Sequence, residues 1–398
     1  MDKLTVEDLD LKGKRVLMRV DFNVPLEKGR VANDKRIRAA LPTIKYIINA
    51  GGKLILMSHL GRPEGRRVPE LSLEPCVAVL GALLGRKVRF VDDCIGETVE
   101  AAVESLGESD ILLLENLRYY PQETNNDSDF AAKLAHLGDV YVNDAFGTAH
   151  RAHASTEGVT HHMSQCAAGN LMMKELDYLG GVLADPEKPF LAILGGAKIS
   201  GKIDIISNLL PRVDNIIIGG GMAYTFFKAQ GKEIGNSLLE EDKIDLAKEL
   251  LAKGDQKIIL PVDCMVSDTF DFAGRQIGAL KDVAADGIPE NEFGLDIGPK
   301  SIETFRSILN VAKTIVWNGP MGVFEIDDTA KGTYAIANAL AEATARGATT
   351  VIGGGDSASA IHKAGVADNV SHVSTGGGAS LELMEGKVLP GVAALSDK

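Results

Sequence analysis

The sequence predicts an α/β protein with two doubly wound, Rossmann-like domains, each a three-layer α/β/α arrangement around a mainly parallel sheet. Short, continuously apolar segments alternate with segments of helical periodicity, which is typical of parallel strands buried on both faces. Two such series occur, with a helical segment between them. The chain has 398 residues, 45% of them hydrophobic, which is enough for two packed cores. We therefore place the first domain at 1–170, an interdomain helix at 171–185 and the second domain at 186–379.

The first domain is expected to contain five strands with helices between them. The strands are the apolar segments 15–20, 53–58, 87–91, 110–116 and 140–144. Proline or a capping serine favours the start of a helix, and glycine favours the residue after its end. On this basis the clearest helices begin at Pro42, Pro75 and Ser128 and end before Gly51, Gly85 and Gly138.

The second domain repeats the alternation, but glycines follow its strands. The strands are 190–194, 215–219, 257–261, 314–318 and 349–353. Glycine-rich segments lie at 194–200, 218–226, 318–325, 353–360 and 374–383. Glycine lets the backbone approach a ligand closely, and a following helix points N–H groups at anions, so the cluster favours a phosphate-rich ligand such as a nucleotide. Tyr224 occupies the third glycine position of G-x-G-x-x-G, which argues against a dinucleotide-dependent dehydrogenase.

Composition excludes several classes of function. Lysine and arginine number 42 against 55 acidic residues, a net charge of −13, which argues against a nucleic-acid binder. An anionic substrate must then be held by a local basic cluster. The four cysteines form no C-x-x-C pair, so we expect buried or unreactive thiols in a reducing compartment. The charged N-terminal residues do not resemble a signal peptide, and no apolar segment is long enough for a membrane, so we expect a cytoplasmic protein.

Polar and basic residues follow the strands of the first domain, at the sheet edge where ligands bind in open α/β folds. They are Asp21, Asn23, Arg36, His59, Arg62, Arg118, Asp144, His150, Arg151 and His153. A single arginine is as often a solvated surface residue, but several at equivalent strand ends predict a pocket for a small polyanion. The histidine spacing matches no zinc arrangement, so we favour anion contacts or structural hydrogen bonds over a metal.

The segment that begins at Gly196 reads G-A-K-I-S-G-K, the spacing of a P-loop, but Ile203 stands where serine or threonine is required. Lys198 and Lys202 are four residues apart and would share one face of a helix near its positive end. They are either solvated lysines or contacts to phosphate oxygens. The spacing alone therefore leaves open whether this segment is a P-loop.

Two acids beside the glycine segments have alternative roles. Asp356 follows a triple glycine and opens an expected helix, so it is either a helix cap or a magnesium contact on a bound nucleotide. Glu325 is either a surface acid or an acceptor for ribose hydroxyls.

Nine motifs, taken in order, resemble those of the phosphoglycerate kinase family. They are RVDFNVP, SHLGRP, ENLRYY, NDAFGTAHRAHAS, GGAKISGKI, GGGMAYTF, WNGPMGVFE, GGGDS and STGGGAS, and they extend from about residue 15 to about residue 380. The resemblance implies a monomer with a hinge. It also implies reversible phosphoryl transfer between 1,3-bisphosphoglycerate and MgADP, giving 3-phosphoglycerate and MgATP. The C-terminal segment 380–398 is expected to pack on the first domain.

The resemblance also implies site residues. Those for the phosphoglycerate are Asp21, Phe22, Asn23, Arg36, His59, Leu60, Gly61, Arg62, Arg118 and Arg151. Those for the nucleotide are Gly196, Ala197, Lys198, Lys202, Gly220, Gly221, Gly294, Leu295, Asn318, Pro320, Met321, Glu325, Gly354, Gly355, Asp356 and Ser357. We expect Arg36 and Lys202 to meet the transferring phosphoryl group, with amide N–H groups from Gly377 and Gly378. Asp356 is expected to hold Mg²⁺, directly or through water.

The implied reaction needs no general base, because the acceptor in either direction is already an anion. Catalysis is then positioning and charge neutralisation, with domain closure to exclude water. Three residues depart from the family's pattern: Gly201, Ser357 where threonine is common, and Asn170 where an apolar residue is usual. Two rival functions remain at this stage: a small-molecule kinase acting on another carboxylate, and a hinged binding protein without activity.

Overall fold

The computed structural model describes residues 2–398 and divides them into two compact units. The first unit extends to Asp177 and includes Val388–Lys398, and the second is Tyr178–Lys387. The division falls inside the segment that we expect to connect two domains. The two mainly parallel α/β sheets, one in each unit, confirm the predicted fold class.

The sheet of the first unit has six parallel strands in the order β5-β6-β4-β1-β7-β8. The strands of this unit, including the hairpin β2–β3, are β1 (Arg15–Arg19), β2 (Leu26–Glu27), β3 (Arg30–Val31), β4 (Lys53–Met57), β5 (Arg89–Val91), β6 (Ile111–Leu114), β7 (Val140–Asn143) and β8 (Cys166–Ala168). Its helices are α1 (Lys35–Asn49), α2 (Glu74–Leu84), α3 (Glu97–Glu104), α4 (Pro121–Thr124), α5 (Ser128–His136) and α6 (Asn170–Glu175). The strands β6 and β7 are buried throughout, as expected for a sheet covered on both faces.

The central sheet of the second unit also has six parallel strands, in the order β11-β10-β9-β17-β18-β19, and a three-stranded antiparallel sheet β15-β12-β16 accompanies it. The strands are β9 (Phe190–Leu194), β10 (Asn215–Ile218), β11 (Ile258–Ile259), β12 (Asp263–Ser267), β13 (Phe270–Asp271), β14 (Gln276–Ile277), β15 (Lys281–Ala284), β16 (Phe293–Ile297), β17 (Thr314–Asn318), β18 (Thr349–Gly353) and β19 (His372–Val373). The helices are α7 (Gly181–Ala184), α8 (Ile203–Leu209), α9 (Met222–Ala229), α10 (Ile244–Gly254), α11 (Pro299–Leu309), α12 (Lys331–Ala345), α13 (Gly355–Lys363) and α14 (Gly378–Met384).

The first long helix corrects the sequence prediction. It begins at Lys35, not at Pro42, which lies inside the helix. The buried face formed by Ile37, Ile44 and Ile47 continues past the proline. Packing of this face offsets the lost hydrogen bond, which costs about 3 kcal/mol in an isolated helix.

The start of α5 is also different from the prediction. Its cap is Asp127, whose Oδ1 accepts a hydrogen bond of 2.9 Å from the N–H of Phe130. Ser128 is the first helical residue. Aspartate and serine are equally good caps, so the sequence pattern could not separate two adjacent candidates.

Of the C-terminal segment 380–398, only Val388–Lys398 belongs to the first unit, and residues 380–387 belong to the second. Its last helix, α15 (Pro390–Ala393), is followed by Ser396, whose carbonyl accepts a 2.8 Å bond from the N–H of Leu4. Lys3 Nζ donates to the carbonyl of Leu395 at 2.8 Å. These contacts attach both ends of the chain to the same unit.

All four cysteines are unpaired and buried, as the sequence predicts. Burial raises the pKa of Cys76 to about 12 and that of Cys166 to about 11, so these thiols are protonated and unreactive. Within residues 2–398, no helix combines the length and the apolar character that a membrane span requires.

Candidate functional site

Arg36 and Asp21 form an ion pair beyond the end of β1. Arg36 lies in the first turn of α1, and its Nη1 donates to both carboxylate oxygens of Asp21 at 2.8 Å. The side chain of Arg36 is 39% exposed and that of Asp21 only 12% exposed. The pair therefore holds the guanidinium in place while leaving part of it accessible to a ligand.

The segments after β1 and β4 are tied together by Asn23, whose Oδ1 accepts a 2.9 Å bond from the N–H of Gly61. The neighbouring Phe22 is buried, and its N–H donates to Ser58 Oγ at 2.8 Å. Leu60 is buried as well. Phe22 and Leu60 therefore shape the backbone here, while Asn23 positions it.

Arg118 contributes a second, more buried cation. It follows β6, is only 7% exposed, and its Nη1 donates to the carbonyl of Gly61 at 2.8 Å. Burial, with the charges of Arg19 and Arg151, lowers the pKa of Arg118 to about 10. The guanidinium still carries its charge at neutral pH, and its buried Nε has no protein partner within residues 2–398.

His59 and His153 are neutral. Burial and the neighbouring arginines lower the pKa of His153 to about 4 and that of His59 well below its usual range. Arg151, whose Nε donates to His150 Nε2 at 3.1 Å, is among the charges that act on His153. Residues 2–398 contain no group of three or more His, Cys, Asp or Glu side chains that could hold a metal ion.

In the first unit, Arg36 and Arg118 disfavour protonation of His59, and Arg118 and Arg151 disfavour protonation of His153. Arg62 is exposed to solvent. Such a group of cations in an acidic protein suits a small polyanion.

The glycine turns of the second unit enclose a cavity of about 350 Å³. Many predicted nucleotide residues line it, namely Gly196, Ala197, Gly220, Gly221, Gly294, Leu295, Pro320, Met321, Glu325 and Asp356. The cavity lies beyond the carboxyl ends of β9, β10 and β17, where ligands bind in sheets of this type.

Gly220 and Gly319 cannot carry a side chain, because each touches the backbone of the turn at Gly195 and Gly196. Gly220 has a φ of +67°, and a Cβ there would lie 2.6 Å from the N atom of Gly196. Gly319 has a φ of +95°, and its Cβ would lie 2.2 Å from the carbonyl of Gly195. No side chain fits at either position, so the turns can close the cavity floor only as glycines.

The remaining predicted nucleotide residues do not line the cavity, and several support its floor. Lys202 Nζ donates to Asn318 Oδ1, and Asn318 Nδ2 donates to the carbonyl of Gly353 at 2.9 Å. Ser357 Oγ accepts a 2.6 Å bond from the N–H of Gly319. The serine hydroxyl thus fixes a glycine turn, and Gly354 and Gly355 begin the helix that carries it.

Lys198 and Lys202 do not share a helical face, which corrects the sequence prediction. Lys198 is in extended conformation, a short 3₁₀ turn follows, and Lys202 is the cap residue before α8. Burial lowers the pKa of Lys202, while Asp356 and Glu385 act in the opposite direction.

Asp356 is not a helix cap. The cap of α13 is Gly354, and Asp356 lies exposed in the first turn with its carboxylate at the cavity. A single accessible carboxylate suits Mg²⁺, which keeps several water molecules and takes its other ligands from phosphates. The residues present therefore fit a nucleotide-bound magnesium ion.

The backbone N–H groups near the start of α14 differ in whether they already have a hydrogen-bond partner. The N–H of Gly376 already donates to Ser374 Oγ at 3.1 Å. Gly377 has a φ of +40° and is the cap residue, and Gly378 begins the helix. Gly377 and Gly378 are the better candidates for contacts to a phosphoryl group.

Sequence reasoning missed the apolar wall of the cavity. It consists of Tyr224, Leu238, Phe270, Phe272 and Phe293. The ring centroids of Phe270 and Phe293 are 6.0 Å apart. Strand β13 is only two residues long, so no periodicity marks it, although two phenylalanines in DTFDFAG were a visible signal.

Asp296 is a second residue that the sequence analysis missed. Its buried carboxylate accepts bonds from the N–H of Gly332 at 2.7 Å and of Ile297 at 2.9 Å. It thereby ties β16, which carries Leu295, to the first turn of α12. Burial raises its pKa to about 7. The two hydrogen bonds give Asp296 a structural role.

The role of Gly201 can be tested separately from the roles of the glycines in the cavity floor. A Cβ at Gly201 meets no atom within 4 Å and its φ is not positive, so Gly201→Ala should stabilise the protein by about 0.4–1 kcal/mol with kcat unchanged. Gly220→Ala should destabilise it and weaken nucleotide binding. Urea unfolding and steady-state rates measure both. A tenfold loss of kcat in Gly201→Ala would instead indicate a P-loop function for that glycine.

Comparison with known proteins gives a consistent result. The family model described as "Phosphoglycerate kinase" matches residues 6–387. The phosphoglycerate kinases of Prosthecochloris aestuarii and Chlorobaculum tepidum are 56% and 57% identical over 401 residues, and the alignments cover 100% of both chains. The solved structure of phosphoglycerate kinase from Coxiella burnetii superposes with a TM-score of 0.89 at 40% identity, covering 98% of each chain.

Proposed function

Because this chain belongs to the phosphoglycerate kinase family, we propose that its first unit binds the phosphoglycerate and its second unit binds the nucleotide. The chain is a phosphotransferase that transfers a phosphoryl group reversibly between 1,3-bisphosphoglycerate and ADP, giving 3-phosphoglycerate and ATP. Its carboxyl-group acceptor and glycolytic role follow from the family. Family membership removes both rival functions that the sequence alone left open.

This assignment rests on the contrast between the site in the first unit and the site in the second, which we call the two half-sites. The first unit gathers guanidinium groups at its strand ends, which suits the phosphate and carboxylate of phosphoglycerate. The second has a glycine floor and an aromatic wall, which suit phosphates and a base, respectively. We therefore assign 3-phosphoglycerate to Arg36, Arg62, Arg118, Arg151, Asp21, Asn23 and His59, and the nucleotide to the cavity.

The chemistry requires no base in this chain. The attacking oxygen is a carboxylate in one direction and a β-phosphate in the other, so no proton has to be removed. Arg36 and Lys202 are assigned to the transferring phosphoryl group, with the amides of Gly377 and Gly378, because charge develops on its three equatorial oxygens. Asp356 holds the nucleotide's Mg²⁺, which neutralises phosphate charge when bound.

One assay tests this assignment. Purified protein with ATP, Mg²⁺ and 3-phosphoglycerate should form 1,3-bisphosphoglycerate, read as NADH oxidation through a coupled dehydrogenase. Omission of either substrate should abolish the signal. Turnover with another carboxylate but not with 3-phosphoglycerate would overturn the assigned substrate.

Transfer between ligands held by different units requires the half-sites to approach each other. We propose that this closure needs both substrates, because a closed site also excludes water from the acyl phosphate. Small-angle scattering with 3-phosphoglycerate and MgADP together should give a smaller radius of gyration than with either alone. An unchanged radius with both bound would contradict closure.

Arg151 is expected to contribute to ground-state binding. It is half-buried at the edge of the cation cluster and is already oriented through His150. Arg151→Ala should chiefly raise the KM for 3-phosphoglycerate, with little change in kcat or in the KM for ATP. Steady-state kinetics measure the three values, and a pure loss of kcat would show a transition-state role instead.

We further propose that the protein acts as a cytoplasmic monomer, without nucleic-acid or membrane partners. Four unpaired, buried cysteines agree with a reducing compartment. Analytical ultracentrifugation tests the monomer, and cell fractionation tests the location.

A further inference from the structure

Arg19 is a fully buried cation for which the proposed reaction has no use. It is the last residue of β1, with 0% exposure. Its Nε donates to Ser155 Oγ at 2.8 Å, its Nη1 donates to the carbonyl of Val20, and its Nη2 lies 3.1 Å from His59 Nδ1. A buried charge is retained only where hydrogen bonds and an opposite charge compensate it.

The compensating charge is one hydroxyl group away. Ser155 Oγ donates to Glu123 Oε1 at 2.6 Å, and the N–H of Ser155 donates to Glu123 Oε2 at 3.0 Å. Glu123 is also fully buried. A continuous chain therefore leads from Glu123 through Ser155 and Arg19 to His59, and it fixes the position of the guanidinium.

This series of hydrogen bonds determines the tautomer of His59. A guanidinium group has only donors, so the Nδ1 atom that faces Arg19 must be the acceptor and carries no proton. The single N–H of the neutral ring is then on Nε2, because the contact to Arg19 uses Nδ1. A second ring proton is disfavoured by burial and by the charges of Arg19, Arg118 and Arg36, with a smaller contribution from His153.

We propose that Arg19 is a positioning residue that holds His59 as the neutral Nε2–H tautomer, and that this N–H donates to an oxygen of the phosphoglycerate. The donor role rests on the proposed binding of phosphoglycerate in the first unit. Among several charged guanidinium groups, a rigid neutral donor makes the recognition more directional. Its donation does not change across the pH range in which histidines usually titrate, about pH 5 to about pH 8.

The tautomer can be read in the wild-type protein. With ¹⁵N-labelled histidine, long-range ¹H–¹⁵N correlation spectra distinguish a protonated ring nitrogen from an unprotonated one, and His59→Gln identifies the signal. We expect an unprotonated Nδ1 and a protonated Nε2, both unchanged between about pH 5 and about pH 8. A proton on Nδ1, or titration within that range, would overturn the proposal.

Adding 3-phosphoglycerate tests the donor role separately. Calorimetry first establishes saturation, and the Nε2 signal should then shift with the bound fraction while Nδ1 stays unprotonated. Saturation without a shift at Nε2 would overturn the donation. If calorimetry detects no binding, the assigned substrate site fails, and the tautomer is still decided by the ligand-free spectra.

Two substitutions of His59 form a matched pair. The amide nitrogen of glutamine takes approximately the place of Nε2, whereas that of asparagine takes the place of Nδ1. His59→Asn should raise the KM for 3-phosphoglycerate about ten- to hundredfold, the range for a lost bond to a charged group, and His59→Gln should raise it less. Equal effects would contradict a donor at Nε2.

Arg19→Met tests the positioning role. It keeps most of the apolar volume but removes the donor to Nδ1, so His59 should lose its fixed tautomer in the same spectra. Circular dichroism checks the fold of this variant. A folded variant with an unchanged His59 tautomer would show that Arg19 has no positioning role. If the variant does not fold, the wild-type spectra decide.

Discussion

Replacing Lys202 by alanine should lower kcat by about 10²–10³-fold while the protein remains folded. The ammonium group is held by Asn318 Oδ1 at the end of β17. It is partly buried, which lowers its pKa, and its remaining donors are free to meet phosphoryl oxygens. A charge that is poised in a partly desolvated site stabilises a transition state more than a solvated one does.

The effect should appear mainly in kcat and only weakly in the affinity for ADP. A contact that forms fully only with the transferring phosphoryl group lowers kcat and kcat/KM together. Steady-state rates and calorimetric ADP titrations measure the two quantities. Lys202→Arg, which keeps the charge but changes its geometry, should fall between alanine and wild type.

Lys253→Ala is the matched control. Lys253 lies in the last turn of α10, its side chain is 70% exposed, and its contact to Glu249 is 4.0 Å long. Its removal should leave kcat and stability unchanged within error. A loss below about tenfold in Lys202→Ala would remove Lys202 from the proposed role.

The case of Lys202 also shows how far the sequence could lead. The sequence predicts a lysine beside a glycine turn at a strand end, and the phosphate contact assigned to it stays a prediction. Its partner was not predictable, because Asn318 lies 116 residues away, and only the parallel pairing of β9 with β17 brings the two segments together. Register over such distances is set by tertiary packing and not by local pattern.

Local conformation limited the prediction in the same region. The pattern G-A-K-I-S-G-K suggested a P-loop or a continuous helix, and the structure has a 3₁₀ turn followed by a separate helix. Buried, strongly apolar strands such as β9 and β17 were predicted with their exact bounds. Strands of two or three residues, such as β13 and β19, were not, since they carry too few residues for any periodicity.

Replacing Arg36 by alanine is the second change expected to cost about 10²–10³-fold in kcat. The variant loses the guanidinium that is assigned to the phosphoryl group. It also leaves the Asp21 carboxylate without its partner in a site that must bind a polyanion. The second effect should weaken binding of 3-phosphoglycerate. We therefore expect the KM for 3-phosphoglycerate to rise and kcat to fall.

The two effects can be separated within the same pair. The double variant Asp21→Asn with Arg36→Ala has no unpaired carboxylate charge. Part of the increase in KM should therefore be reversed, while kcat stays low. Arg38→Ala is the control, since Arg38 lies on the same helix, is 58% exposed and pairs with Asp34 at 2.9 Å. If the double variant regained kcat, the loss in Arg36→Ala would come from Asp21, and Arg36 would have no role at the transition state.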